Sequence, residues 1–246
     1  MLGIAGAAEP AATPFISPGE LISIYGVQLG PDPAVNAVLD STGKIATELA
    51  GYRVLVNGIP APLLYAGAHQ INLVIPFGIA NATEAAVQVI TPAGPLPAVT
   101  GFSVGPTEPQ VFPAILNEDG SINSQSHPAP RGSIVAVWAT GGGAMDTGMV
   151  DGEISQAPLG KPLLPVGIGL SHLYPGQGGE VTYAGAAPGM VAGVIQINFR
   201  VPPPSSNHGA CYGACPVVLG VGGRVSLSQF ITTVFTTLDP VLWVGN

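Results

Sequence analysis

Apolar residues in this chain recur in short alternating runs broken by glycine, proline and asparagine. Residues 21–25 place Ile22 and Ile24 on one face and Ser23 on the other, and residues 52–56 do the same with Val54 and Val56. That period of two is the mark of a half-buried strand. Asn57-Gly58 then offers the two residues that a type I′ hairpin turn needs at positive φ. Further runs at 63–65, 71–75, 85–90 and 99–104 complete a first set of strands. A second set is predicted at 133–140, 164–170, 180–184, 194–200, 216–221 and 226–235. A capped helical stripe is found nowhere. The pattern predicts an all-β chain of two tandem immunoglobulin-like β-sandwich domains.

The two sets echo each other. Gly19-Glu-Leu-Ile-Ser-Ile-Tyr25 resembles Gly132-Ser-Ile-Val-Ala-Val-Trp138, and Tyr65-Ala-Gly-Ala68 recurs as Tyr183-Ala-Gly-Ala186. Gln70-Ile-Asn72 recurs as Gln196-Ile-Asn198, and Ala86-Val-Gln-Val89 parallels Pro216-Val-Val-Leu219. The order is kept while the spacing grows, as an internal duplication with insertions in the second copy would give. Residues 1–107 are read as the first sandwich and 108–246 as the second, with longer loops and a C-terminal tail. Pro-rich residues 105–110 have the character of a linker.

Composition sharpens this picture. Only 8 % of the 246 residues are charged, with 6 Lys+Arg against 14 Asp+Glu, yet 47 % are hydrophobic. The chain is apolar enough to fold, and its 35 glycines and 26 prolines punctuate many short segments. Six scattered basic residues cannot replace the counterions of a nucleic acid. An unbroken apolar run of 18 residues, the length of a membrane span, does not occur. The opening residues lack the basic start of a signal peptide, which suggests a piece of a longer protein. Cys211 and Cys215 are spaced for a local disulfide, with free thiols or a metal shared with His208 as alternatives.

Several phrases carry a family resemblance. Residues 16–26, 56–66 and 70–72 are similar to the Solibacter-type uncharacterised C-terminal domain of large acidobacterial proteins, as are 116–124, 131–135 and 184–193. The first half also resembles the IPT/TIG group of sandwiches. Residues 205–215 depart from the family pattern in length and in their cysteines. The resemblance implies a secreted or cell-surface, multidomain setting and implies no reaction.

The chemistry on offer is sparse. Gln70, Asn72, Gln196 and Asn198 set pairs of amides on one face of a strand, suited to hydrogen-bonding a sugar or peptide, or to satisfying nearby backbone. Asn117, Asp119 and Asn123 supply oxygens of the kind calcium takes, without the spacing of a full calcium loop. No other metal or cofactor is expected. A hydrolase would have to assemble across strands from His127 or His172, Asp151 and Ser126, because the nucleophile-elbow motif is missing. Ser171 and His172 are adjacent and point to opposite faces of a strand.

These observations predict a non-catalytic extracellular module: a structural, adhesive or ligand-presenting part of a larger secreted or cell-surface protein. Its expected partners are a surface polymer or other domains of the parent chain, contacted through the loops at 144–165 and 203–216. The alternatives are an esterase- or lactonase-like hydrolase sited in the second domain, and a pure spacer.

Overall fold

The structure is a computed structural model that describes residues 3–8, 14–170, 178–203, 213–226 and 241–245. The described residues are all-β, with a single 3-10 turn at Phe77–Ile79. In the first half, β1 (Gly3–Gly6), β3 (Leu21–Tyr25), β9 (Gln70–Val74), β8 (Leu63–Gly67) and β4 (Val35–Asn36) lie in that order in one antiparallel sheet. The facing sheet runs β2 (Phe15–Ile16), β12 (Val99–Val104), β10 (Glu84–Thr91), β6 (Tyr52–Val56), β5 (Glu48–Leu49). The short strands β7 (Ile59–Pro60) and β11 (Gly94–Pro95) fold back on β6 and β10. Asn57 and Gly58 sit at φ 50° and 79°, so the hairpin expected from Asn-Gly forms.

In the second half, β13 (Gln110–Leu116), β14 (Ile134–Thr140), β17 (Ile195–Arg200) and β16 (Glu180–Ala186) form one sheet. The other holds β15 (Val166–Leu170), β18 (Gly213–Val221) and β19 (Arg224–Val225), with β20 (Val241–Val244) also on β18. The predicted strand at 226–235 lies outside the described residues beyond Ser226. The repeated sequence segments fall on corresponding strands: β3 and β14, β9 and β17, and β8 and β16 are neighbours in the same order.

Alternation explains the cores. Ile22, Ile24, Val54, Val56, Ile71 and Leu73 turn inward from both sheets of the first half and are fully buried. Val135, Val137, Ile195, Ile197, Phe199 and Leu219 do so in the second. Each such side chain adds about 1.5–3 kcal/mol of transfer free energy.

A third cluster joins the halves. Leu21 and Val74, on the outer face of the first sheet, pack with Ala187, Val191 and Val194, and Trp138 covers them from β14. Thr140 closes this junction. Its Oγ1 accepts the Leu21 backbone N–H at 2.8 Å and donates to the Gly193 carbonyl at 3.1 Å. Gly193 is at φ +112°, and a Cβ there would lie 2.2 Å from the Gly19 carbonyl oxygen, so only glycine lets the halves approach this closely. Nearby, the Gln110 amide donates to the fully buried Glu20 carboxylate at 2.9 Å, and the other Glu20 oxygen accepts the Ser17 N–H at 2.7 Å.

The Pro-rich connection is not the solvated linker its composition suggests. Thr107, Glu108, Pro109 and Gln110 are all buried. Thr107 Oγ1 donates to the Val221 carbonyl at 3.1 Å, and Glu108 N–H to that of Gly141 at 3.0 Å. Proline and polar residues serve here as close-packed wall rather than as spacer.

Thr140→Val keeps the shape but strands the buried Leu21 N–H. It is expected to cost about 1–3 kcal/mol in denaturant unfolding, whereas Thr182→Val, on an exposed strand position, should cost well under half as much.

Candidate functional site

The loop at 144–165, read from the sequence as a contact surface, lies against the first half. Ile45 N–H donates to the Gly152 carbonyl at 2.8 Å. Between the 40–44 turn and residues 147–160 runs an open groove of about 520 Å³, a size ordinary for ligand sites. Met149, Ile154 and Leu159 supply its apolar part, and Lys44, Glu153, Ser155 and Gln156 its polar part. Those four polar side chains make no hydrogen bond or ion pair to the described protein. Its walls are firm: Asp40 Oδ1 accepts from Thr42 Oγ1 and N–H, both at 2.7 Å, and from Lys44 N–H at 3.1 Å. These bonds, that of the Thr42 hydroxyl foremost, hold the Asp40 carboxyl below its ordinary range.

Asp151, offered by the sequence as a catalytic carboxylate, has a structural task. Its Oδ1 accepts the Phe77 N–H at 2.8 Å, across the junction. The 3-10 turn begins at Phe77 after Pro76 and has no cap of its own, so Asp151 supplies one from the other half. No hydrogen bond joins it to a histidine among the described residues.

Ser126 and His127 do meet: Ser126 Oγ and His127 Nδ1 are 3.1 Å apart, with Ser124 Oγ 3.1 Å beyond. Ser126 and His127 are exposed and Ser124 is half-buried. Asp119 is close enough for His127 to bear on it electrostatically, yet its Oδ1 is engaged by the Ser121 hydroxyl at 2.7 Å and N–H at 2.9 Å. Those bonds lower the Asp119 pKa. His172 lies outside the described residues.

The oxygens suggested for calcium are similarly engaged. Asn117 Oδ1 accepts from the Asn123 amide at 2.9 Å, and Asn123 Oδ1 from the Trp243 N–H at 2.6 Å. The Asn123 amide also donates to the Trp243 carbonyl at 3.0 Å, so this loop fastens β20. Among the described residues there is no group of three or more His, Cys, Asp or Glu placed to hold a metal. Cys215 is disulfide-bonded and buried; Cys211 lies outside the described residues.

The amide pairs are built alike in both halves. Gln70 Nε2 donates to Asn72 Oδ1 at 2.7 Å, and Gln196 Nε2 to Asn198 Oδ1 at 2.9 Å. Each pair stands on the outer face of its strand, with Ile71 or Ile197 inward. Across the strands, Gln70 faces Tyr25 and Gln196 faces Trp138. A bulge in β8 and in β16 sets Tyr65 opposite Asn72 and Tyr183 opposite Asn198. Each tyrosine folds down along its strand: a Cβ on Gly67 would lie 2.8 Å from the Tyr65 hydroxyl, and one on Gly185 2.6 Å from that of Tyr183. This explains the recurring Tyr-Ala-Gly, since the ring occupies the space of the missing side chain.

Glu108 is a feature that the sequence did not single out. Its side chain is 8 % exposed, Oε2 accepts no hydrogen bond, and Arg224 Nη1 is 3.9 Å away. Arg224 also lies over the Phe15 ring, 5.1 Å from its centre. Burial raises the Glu108 pKa, and Arg224 only partly offsets this. Nothing local marks this residue, because the segments that close over it, around Gly141 and Arg224, are distant in sequence. The same holds for Lys44 and Glu153, which are far apart in sequence and meet only at the groove.

No family model matches the chain, and a search of curated proteins finds no match to it. Among the described residues there is no helix long and apolar enough to cross a membrane.

Two outcomes follow. Asp151→Ala should destabilise by about 1 kcal/mol, the worth of a lost cap, and Asp151→Asn, which keeps an acceptor, should recover most of it in thermal melts. For Glu108 the folded state favours the protonated form. Its contribution to stability is therefore full below the ordinary carboxylate pKa and is lost as pH rises through the raised one. Glu108→Gln should thus melt higher than the parent at about pH 7 and equally at about pH 4; equal melting at both would exclude this cost.

Proposed function

We propose that the chain is a rigid, non-catalytic extracellular module, an adhesive or ligand-presenting part of a larger secreted or cell-surface protein. The observation that carries this reading is the junction groove, where Lys44, Glu153, Ser155 and Gln156 line one cleft and make no hydrogen bond through their side chains to the described protein, Lys44 being drawn only electrostatically toward Asp40. In a chain with 6 basic and 14 acidic residues, a lysine and a glutamate lining the same groove without a salt bridge between side chains favour a contact surface over a plain spacer. The resemblance to the Solibacter-type domain supports the extracellular, multidomain setting. The engagement of Asp151 and Asp119 in capping and turn bonds supports a non-catalytic role.

One observation favours a hydrolase instead, the 3.1 Å contact between Ser126 and His127. The two readings separate in one pair of assays. Short- and long-chain p-nitrophenyl esters and acyl lactones should show no turnover above heat-inactivated protein. The chain should bind isolated cell-envelope fractions saturably, with Lys44→Glu or Glu153→Lys weakening binding several-fold. Turnover abolished by His127→Ala would overturn the proposal in favour of a hydrolase. Envelope binding that never saturates, or that ignores both groove variants, would overturn it in favour of a spacer.

A further inference from the structure

We propose that the outer face of the first sheet is a binding site for an uncharged polysaccharide. The site is independent of the junction groove. It consists of Tyr25 on β3, Gln70 and Asn72 on β9, and Tyr65 on β8, which are cross-strand neighbours on one face.

Asn72 Oδ1 is saturated, accepting from the Gln70 amide at 2.7 Å and the Ser23 hydroxyl at 3.0 Å. The Asn72 NH₂ group and the Gln70 carbonyl oxygen make no hydrogen bond to the described protein, and neither do the hydroxyls of Tyr25 and Tyr65. The mutual bond fixes both amides and leaves one donor and one acceptor on the same face, already oriented. Vicinal hydroxyls of a sugar, each a donor and an acceptor, match such a pair. The two aromatic residues suit the other aspect of a sugar ring, its C–H face. Tyr25 is 42 % exposed, and Tyr65 lies down over Gly67 while remaining partly exposed. A tyrosine offers an apolar ring with a polar rim at little entropic cost.

Charge and geometry narrow the ligand class. Tyr25, Ser23, Gln70, Asn72, Tyr65 and Gly67 include no charged residue, so among these described residues nothing compensates a phosphate, sulfate or uronate. The central strands present side chains there, with their backbone groups already paired, so an extended peptide has no ladder to join. The second sheet repeats the amide pair, but Trp138 packs into the junction cluster and the Tyr183 hydroxyl donates to the Ala186 carbonyl at 3.0 Å. The first sheet is therefore the more open of the two platforms.

The test is affinity electrophoresis of the purified chain through gels holding hydroxyethyl cellulose, xyloglucan, galactomannan or, as the charged comparison, polygalacturonate. At least one neutral polymer should retard the parent chain more than polygalacturonate does. Asn72→Ala with Gln70→Ala should lower that affinity about tenfold, and Tyr25→Ala several-fold, with melting temperatures near the parent's. Should the double variant melt low, Tyr25→Ala alone decides, since that exposed ring supports no core. Lys44→Glu and Glu153→Lys should leave retardation unchanged. Retardation by no neutral polymer, equal retardation of parent and face variants, or dependence on the groove variants instead would overturn the site. Loss of groove-dependent envelope binding with neutral-polymer retardation intact would overturn the groove reading and leave this one standing.

Discussion

The structure depends on how the backbone at the junction is satisfied once water is removed. Packing Leu21 and Val74 against Val194 and Ala187 takes the nearby N–H and C=O groups out of solvent, and an orphaned buried amide costs as much as a lost hydrogen bond. Thr140 reaches across to Leu21 while also satisfying Gly193 in its own half, and Gln110 reaches across to Glu20. Asp151 does the same for Phe77. The two cores are each built from their own half, but the polar groups between them are complete only when the halves meet.

Much of the fold was legible because strand alternation is local. Ile22 with Ile24, and Val54 with Val56, announce their faces within five residues, and Asn57-Gly58 names its own turn. The one- and two-residue contacts were not legible. Strands β2, β4, β5, β7, β11 and β19 are two residues long, too short to show a period, and the longer β1, β13 and β20 are also absent from the sequence reading. The connection at 105–110 was misread because proline and threonine look the same in sequence whether water or another half covers them.

The candidate sites divide along the same line. That Gln70 and Asn72 share a face follows from spacing alone. That Tyr65 stands beside them follows from a bulge in β8, which no local pattern shows, although Tyr-Ala-Gly recorded its result. Asp151 was noticed as a carboxylate, but its role is set by Phe77, which no spacing connects to it. In a chain so poor in charge, most polar side chains that attract notice prove to be fasteners, and those left without partners become informative.

The buried connection also has a mechanical meaning. A solvated linker between two sandwiches straightens under tension and lets each sandwich turn separately. Here the Thr107 bond to Val221 and the Thr140 bond to Leu21 stand in the path of that extension. Tension applied across the chain meets a set of hydrogen bonds loaded together, with no slack to take up first. The two halves are then joined as one strut, and these bonds must break before either half can turn against the other.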